Sequence, residues 1–495
     1  MTNKTAIVIG GGLGGLACAL SLRGKGFEVK LFEKNSHLGG KLNYLEKGGF
    51  RFDLGPSIFT MPHIFEDLFS EIGESLHDWL TLIPLDPQWK NFFPDHSSFY
   101  LYQNKEKMKQ ELQNFNNGKD TEGWFRYLAY CDEQLKFAEE GYLGEGLDSF
   151  WNLLRFYGFR KSFFGIDWRA SMSGKIGTFV KDPRVQAVLE YFIKYVGSSA
   201  INAPSMMGLL FAMQIRYGLW YVKGGMFELS RAMTEVAKKI GVETSLNTDV
   251  QKILHKDNRA IGIETNKGTR FFADAVICNQ EVSVARNELI DYEKSRLSRS
   301  DRTQAPSCSG LVIHLGTRKH YPQLAHHNFF YSKDQKEHFQ MVFDEGRLPE
   351  DPTLYVVAPS RTDLSVCPEG YDNIKILPHI PPLKDSDERI NYEELRDRVL
   401  NKLESMGLSS LKNNIVVEET WTPYDIREKY RSKGGSIYGV VSDRWKNQGI
   451  KAPKRSKDYR GLYFVGGSVN PGSGMPMVVL GGKQTAEIVA QECYS

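Results

Sequence analysis

Three glycines and one acidic residue near the amino terminus have the types and spacing of a dinucleotide-binding turn. Gly10, Gly12 and Gly15 form a G-x-G-x-x-G motif, and Glu33 lies 18 residues beyond the last glycine. In this motif the first glycine makes the turn, the second lets the backbone approach a pyrophosphate, and the third permits close packing of a helix. The acidic side chain accepts hydrogen bonds from the adenosine ribose. The pattern therefore predicts a nucleotide cofactor and, with it, redox chemistry.

Two later turns favour FAD over NAD. Gly39-Gly40-Lys41 follows the acidic residue closely, and Asp53-Leu54-Gly55-Pro56-Ser57 comes next. A flavin needs a longer cradle than a nicotinamide, and glycine-rich turns expose the backbone N–H groups that such a cradle uses. Lys41 either reaches a phosphate or holds the loop near it, or it is a solvated surface lysine, and both interpretations stay open.

A glycine-rich segment near the carboxyl terminus is the second cofactor signal. The run 461–468 predicts a strand, and Pro476 is expected to open a helix that continues to about Gln491. Residues 470–477 would place backbone N–H groups and a positive helix end against the flavin ring. The residues predicted to bind FAD are Gly10, Gly12, Leu13, Gly14, Gly15, Glu33, Lys34, Gly40, Lys41, Gly55, Pro56, Ser57, Val250, Gly467, Ser468, Met475, Pro476 and Met477.

Short apolar runs supply the elements that must position these motifs. Residues 5–9 and 29–32 predict buried parallel strands, and the helix between them begins at Leu13 and ends where Gly24 and Gly26 stop it. Four later runs predict short strands in a small antiparallel addition beside the nucleotide sheet: 242–244, 250–254, 260–265 and 269–278. The predicted class is α/β, with a doubly wound, Rossmann-like cofactor domain.

The length of 495 residues exceeds what one hydrophobic core usually spans, so more than one domain is expected. We assign the FAD-binding domain to three separated pieces, 1–74, 221–289 and 441–495. The intervening residues 75–220 and 290–440 are predicted to form a substrate domain and lid.

Composition excludes several classes of protein and site. The net charge of +3 is too balanced for non-specific nucleic-acid binding, and six scattered cysteines indicate neither a disulfide framework nor a zinc site. No apolar run is suited to cross a bilayer, and a reducing cytoplasm fits best. His326 and His327 should diverge on a strand and cannot chelate a metal together. They could line a flavin-facing pocket, although a pair of satisfied surface histidines is the commoner outcome.

Residues 150–168 combine aromatic and basic side chains. Eight of the 19 are aromatic, against 12% in the whole chain, and Arg155, Arg160 and Lys161 are interleaved with them. Such a segment is typical of a surface that rests at a lipid headgroup boundary. A substrate lid or core helix is the other interpretation, because the aromatics do not share one helical stripe and Gly158 and Gly165 interrupt them.

Over essentially its whole length the chain resembles the carotenoid and phytoene desaturase family of FAD enzymes. The motifs that carry the resemblance are Gly10 to Gly15 with Glu33, Gly39-Gly40-Lys41, Asp53 to Ser57, Trp220 to Gly225, and Gly466 to Pro476. An oxygenase branch of that family is similar in four further segments, 192–199, 324–330, 437–441 and 467–472. Asn470 stands where desaturases commonly carry a histidine. The resemblance implies a doubly wound FAD-binding domain of glutathione-reductase type with an interrupting α+β substrate domain.

The oxygenase resemblance also implies a reaction. The expected substrate is a thirty-carbon carotenoid such as 4,4'-diaponeurosporene, whose terminal methyl group is oxidised to an aldehyde with dioxygen in pigment synthesis of the staphyloxanthin type. It implies no catalytic residue and no metal, and we expect Asn470 to offer its amide to the oxygenated chain end. Because a long polyene is insoluble in water, peripheral attachment to the inner face of the cell membrane is expected. Desaturation of a similar polyene and a non-enzymic isoprenoid escort are the alternatives.

Overall fold

The computed structural model describes residues 4–165, 167, 169–290, 305–384, 389–443, 445 and 450–494, apart from the side chains of residues 150, 163 and 164. Its α-helices in chain order are Leu13–Gly24, Pro62–Glu71, Leu76–Trp79, Lys105–Asn116, Thr121–Phe137, Phe150–Phe164, Met172–Phe179, Pro183–Glu190, Leu209–Tyr217, Phe227–Lys239, Val282–Glu288, Gln335–Phe339, Glu393–Ser405, Leu411–Asn414, Pro423–Tyr430 and Met475–Tyr494. Within these ranges, none of the helices combines the length and the apolar character that a bilayer crossing needs.

A five-stranded parallel sheet carries the glycine-rich turn. Its strands in spatial order are Leu462–Phe464, Ala275–Cys278, Thr5–Ile9, Glu28–Phe32 and Glu243–Ser245. Alternate residues of the central strand point to opposite faces, so that Ala6 and Val8 join one core while Ile7 and Ile9 join another. Helices that begin at Leu13 and Met475 share the first core, and Val282 and Ala285 share the second. The predicted doubly wound α/β fold is confirmed.

The predicted antiparallel addition is smaller than expected. Three strands form it, Val250–Lys256, Arg259–Thr265 and Arg270–Phe272. The run predicted at 242–244 does not belong there, because Glu243–Ser245 pairs in parallel with the nucleotide sheet. The run predicted at 269–278 belongs there only in part, because Ala275–Cys278 also pairs in parallel with that sheet. The prediction was wrong at these two strands, since both pairings join segments more than 200 residues apart and leave no local sequence signal.

A second, mostly antiparallel sheet lies in the other part of the chain. Its strands in spatial order are Ile415–Trp421, Val312–Thr317, Asp372–Ile380, Leu354–Val357, His327–Phe330, Trp89–Phe92 and Ser98–Leu101, with Ser309–Gly310 beside Asp372–Ile380. Two small ribbons complete the sheets, Tyr44–Lys47 with Phe50–Asp53 and Leu82–Pro84 with Trp220–Val222.

The strands of the two large sheets come from different parts of the chain. Every strand of the parallel sheet lies in 1–74, 221–289 or 441–495, and every strand of the second sheet lies in 75–220 or 290–440. Trp89 of the second sheet stacks on Phe192 at 4.3 Å between ring centroids, which fixes the helices around residue 190 against it. The domain boundaries themselves stay a prediction.

The aromatic and basic segment forms a helix with a break. Phe150–Phe164 is interrupted at Gly158, whose φ of +74° is a conformation that glycine adopts readily. Tyr157 is buried and stacks on Phe137, whereas Trp151, Phe156 and Phe159 are 76%, 47% and 67% exposed. The side chains of Phe150, Phe163 and Phe164, and the whole of Trp168, lie outside the described residues. One part of the predicted cluster therefore packs inside and another faces outward.

Candidate functional site

One long cavity lies where the glycine-rich turn, the carboxyl-terminal helix and the second sheet meet. Fourteen of the predicted cofactor residues line it, namely Gly10, Gly12, Leu13, Gly14, Glu33, Lys34, Gly40, Lys41, Gly55, Pro56, Val250, Gly467, Ser468 and Met475. Gly15, Ser57, Pro476 and Met477 are not part of its wall. Residues separated by more than 450 positions in the chain thus share one site.

The glycines of the first turn are required by close backbone approach. Gly10 has a φ of +93°, and a Cβ atom at Gly15 would lie 2.1 Å from the Gly10 carbonyl oxygen. A side chain at Gly15 would therefore collide with the backbone of the turn, as expected for the third glycine of the motif. A Cβ atom at Gly12 would lie 2.9 Å from Nδ2 of Asn279, so a side chain there would have to displace this amide.

Glu33 occupies the end of the second parallel strand. Its Oε2 accepts from the Gly11 backbone N–H at 2.8 Å, and its Oε1 accepts from the Asn35 backbone and side chain at 2.9 and 2.7 Å. These bonds orient the carboxylate in the cavity. Nearby, Arg431 donates two hydrogen bonds to Asp249 at 2.8 and 2.6 Å. Burial, followed by the Arg431 charge, lowers the pKa of the Lys34 amine.

Lys41 is half-buried, and its amine joins two distant segments of the chain. Its Nζ donates to the carbonyl oxygens of Ser436 at 2.9 Å and Ile437 at 3.3 Å, and burial lowers its pKa while Glu281 raises it. The surface-lysine interpretation is wrong, because the side chain ties the Gly39-Gly40 turn to a loop almost 400 residues later. A phosphate contact by Lys41 stays a prediction.

Lys375 is a cavity residue that the sequence did not reveal. It lies in the strand Asp372–Ile380, and its Nζ donates to the Gly55 carbonyl oxygen and to Oγ of Ser57. Burial lowers its pKa to about 8, and Asp53 opposes this shift. Ser57 is thus not part of the cavity wall itself, but it accepts a hydrogen bond from a lysine that is. The strand around Lys375 is buried on both faces, so its sequence pattern alone marks it only as a core strand.

The carboxyl-terminal helix begins at the cavity. Ser473, Gly474 and Met475 line the wall just where Met475–Tyr494 starts, which directs the positive end of the helix towards the site. Oγ of Ser432 and Oγ of Ser473 are buried there without a hydrogen-bond partner in the described part of the chain. Glycine-lined walls, a helix end and unsatisfied hydroxyl groups fit the long, polar cofactor FAD.

Asn470 does not offer its amide to a ligand. Its Oδ1 accepts from the Tyr142 hydroxyl at 2.7 Å and from the Lys451 backbone at 2.8 Å. Its Nδ2 donates to the carbonyl oxygens of Asp148 and Lys451. The residue is buried outside the cavity wall, so the expectation that it contacts an oxygenated chain end is wrong. Two of its four bonds instead fasten the loop before the helix to the segment 142–148, and the other two join this loop to Lys451.

The paired histidines also differ from the prediction. His326 precedes the strand His327–Phe330, and the two rings approach to 4.5 Å between centroids rather than diverging. Both are buried, not on the surface, and neither belongs to the cavity wall. Oγ1 of Thr362 and the Tyr355 hydroxyl bond their Nδ1 atoms. In the described ranges, no group of three His, Cys, Asp or Glu side chains could hold a metal ion.

Known proteins are similar to this chain in sequence and in fold. Residues 13–490 match the family of flavin containing amine oxidoreductases. The chain is 50% identical to a 4,4'-diapolycopene oxygenase from Methylomonas sp, covering 97% of each chain. It is 42% identical to a 4,4'-diaponeurosporene oxygenase from Staphylococcus haemolyticus, covering 100% of this chain and 98% of that one.

Solved structures share the fold at low identity. Putrescine oxidase bound to putrescine has a TM-score of 0.65 at 15% identity, covering 99% of each chain. An oxidoreductase from Methanosarcina mazei has a TM-score of 0.66 at 16% identity, covering 98% of this chain and 100% of that one. The chain therefore belongs to the flavin-containing amine oxidoreductase family and is an FAD-dependent oxidoreductase.

Proposed function

We propose that this chain oxidises a terminal methyl group of a thirty-carbon carotenoid to an aldehyde, with FAD and dioxygen. The observation that supports this most is the 50% identity, over 97% of both chains, to an enzyme named 4,4'-diapolycopene oxygenase. The Staphylococcus haemolyticus relative is named for a different carotenoid, 4,4'-diaponeurosporene. These two carotenoids are the first substrates to test.

The cavity wall suits a substrate that lacks polar groups. Val312, Leu377 and Trp421 from the second sheet are among the residues that line the cavity. An apolar wall binds a polyene by shape and by exclusion of water, whereas polar groups would fix only an end that already carries oxygen. A methyl terminus can therefore lie against this wall without leaving a buried polar atom unpaired.

The chain's own residues would hold the cofactor along the other side. The turn at Gly10 and Gly12 would accept the pyrophosphate, Glu33 the ribose, and the start of Met475–Tyr494 the flavin ring. Bound FAD supplies a two-electron acceptor that can pass electrons to dioxygen. Lys375 would add a positive charge to the cavity wall, which favours negative charge arriving on the bound cofactor.

The proposed reaction balances with dioxygen alone. A methyl group and one dioxygen give one aldehyde and one water, and four electrons pass from carbon to oxygen. Incubation with each carotenoid under ¹⁸O₂ should add one labelled oxygen atom and remove two hydrogen atoms from the product, as measured by mass spectrometry. The number of conjugated carbon–carbon double bonds should not change.

Other products would point to other functions. Loss of hydrogen pairs without gain of oxygen would establish a desaturase and overturn the proposal. An escort protein would return both carotenoids unchanged, even when its flavin spectrum is complete.

We also propose that the outward part of Phe150–Phe164 attaches the protein to the inner face of the cell membrane. Trp151, Phe156 and Phe159 are exposed there, and Arg155, Arg160 and Lys161 are exposed beside them. Aromatic rings at the headgroup level together with basic side chains favour an anionic lipid surface. The attachment would bring the cavity close to a lipid-dissolved substrate.

Vesicle flotation tests the attachment. The triple variant Trp151→Ser, Phe156→Ser, Phe159→Ser should lose most of its binding to anionic vesicles, because each fully buried aromatic contributes about 1.5–3 kcal/mol. The matched control is Phe272→Ser, since Phe272 is an exposed aromatic on the antiparallel addition. Equal flotation of the folded triple variant and the control would exclude this helix as the membrane contact.

A further inference from the structure

A buried lysine amine lies among aromatic rings next to the cofactor cavity. Lys194 is 3% exposed, and its Nζ has no hydrogen-bond partner among the residues that the structure describes. The ring centroids of Trp89, Tyr195 and Phe329 lie 3.6, 4.4 and 4.5 Å from this nitrogen. Aromatic faces compensate only part of the cost of removing an amine from water. An apolar side chain would pack there at lower cost, so the amine indicates a ligand.

Two imidazole nitrogens in the same cluster are also unsatisfied. Nε2 of His327 and Nε2 of His379 are buried and make no hydrogen bond within the described residues. Their Nδ1 atoms are fixed by the hydroxyl groups of Tyr355 at 2.9 Å and Tyr191 at 3.2 Å. Burial first, and the charge of Lys194 in addition, lowers the pKa of both rings. Lys194 thus acts electrostatically on both rings, and none of the three nitrogen atoms has a hydrogen-bond partner among the described residues.

The second sheet connects this cluster to the cavity. Phe329, Tyr355 and Leu377 are directly opposite one another on three neighbouring strands, so their side chains share one face of the sheet. Leu377 lines the cavity, and adjacent strands lie about 4.8 Å apart. Phe329, which Lys194 covers, is therefore roughly 10 Å from the cavity wall. This is close enough for a chain end that moves past the flavin.

The proposed reaction adds an oxygen atom to the end of the carotenoid chain. Oxidation of a methyl group to an aldehyde passes through an alcohol, with two of the four electrons removed. Oxidation of the alcohol releases two electrons and two protons, which reduce the second oxygen atom of dioxygen to water. If the alcohol leaves before this step, an external two-electron donor such as a reduced nicotinamide must supply those electrons instead. Unless a polar group receives the new hydroxyl, an apolar cavity favours release of the alcohol before this second oxidation.

We infer that Lys194, with His327 and His379, binds the oxygen atom of the partly oxidised chain end and holds the alcohol for its conversion to the aldehyde. This inference rests on the proposed function. Lys194 donates a hydrogen bond to the oxygen atom, and a histidine Nε2 completes the contact. The cluster joins Lys194 from segment 192–199 with His327 from segment 324–330, two of the four segments in which the chain resembles oxygenases.

Two substitutions at Lys194 test the inference. Lys194→Met keeps the length and removes the donor, whereas Lys194→Gln keeps an N–H donor. With either carotenoid, and with a reduced nicotinamide present as the two-electron donor, the methionine variant should raise the ratio of alcohol to aldehyde about tenfold, the usual effect of losing one buried hydrogen bond. Its KM for the terminal alcohol should rise by a similar factor, while its KM for the methyl substrate stays unchanged. The glutamine variant should restore the wild-type ratio.

Controls separate this role from packing. Lys402→Met removes another largely buried lysine, one that is paired with Asp351, and should leave the product ratio unchanged. If Lys194→Met loses its flavin, His379→Asn replaces it, because asparagine can retain the contact to Tyr191 and lacks Nε2. If a folded, flavin-containing Lys194→Met or His379→Asn variant gives the wild-type ratio of alcohol to aldehyde, the inference is refuted and the proposed function still stands. Absence of oxygenated product from the wild type would refute the proposed function and the inference together.

Discussion

At the scale of single residues, Gly12 shows how closely the chain packs around the cofactor site. Asn279 and Gly40 approach it from two sides, and a Cβ atom at Gly40 would lie 2.9 Å from its Cα atom. We expect Gly12→Val to give colourless protein, because the side chain fills the space that the pyrophosphate needs. The flavin absorbance per protein measures this. Gly177→Val is the control, since its nearest neighbouring atom is 4.0 Å away, and a yellow Gly12→Val protein would contradict the assignment.

Lys375 gives the site a charge that depends on pH. Burial lowers its pKa to about 8, so the amine is charged below that pH and neutral above it. Because a positive charge favours electron arrival at the flavin, the rate of anaerobic flavin reduction by substrate should fall as pH rises through about 8. Lys375→Arg should remove the inflection, since arginine stays charged. Lys375→Met should be about tenfold slower at pH 7, and an unchanged inflection in either variant would exclude Lys375 as its source.

At the scale of elements, Asn470 fastens the loop that precedes the last helix. Four hydrogen bonds join it to Tyr142, Asp148 and Lys451. We expect Asn470→Ala to lower the free energy of unfolding by about 2–4 kcal/mol, because it leaves several buried polar groups unpaired. Tyr142→Phe, which removes one partner, should cost about 1 kcal/mol. Denaturant titration measures both free energies of unfolding. If Asn470→Ala changed the product from oxygenated to desaturated, this residue would have a part in the reaction and not only in stability.

The sequence predicted those elements whose signals are local. The strand, glycine turn and helix from Thr5 to Gly24 could be placed because each is encoded by neighbouring residues. Glu243–Ser245 and Ala275–Cys278 were recognised as strands but assigned to the wrong sheet, because their partners lie far away in the chain. Lys375 and Lys194 were missed as site residues for the same reason. A buried lysine cannot be distinguished from a surface lysine until the fold is known.

At the scale of the whole molecule, the segment 423–436 crosses the cofactor cavity and joins the two sheet systems. Lys429, Tyr430, Arg431 and Ser432 line the cavity. Arg431 pairs with Asp249 beside the antiparallel addition, and Lys34 Nζ donates to the Glu428 carbonyl oxygen at 3.3 Å. The segment therefore contacts the parts of the parallel-sheet region that surround Glu33.

If this segment retains FAD, breaking the Arg431 to Asp249 pair should speed FAD dissociation. The pair is partly exposed, so solvent screens it, and we expect Arg431→Met to raise the dissociation rate about two- to fivefold. Asp249→Asn should act similarly, and the double variant should be no faster than either single variant, because both remove one interaction. Stopped-flow recovery of flavin fluorescence after dilution measures these rates. Fully additive effects would mean that each side chain contacts FAD independently and that the segment is not held closed by their pairing.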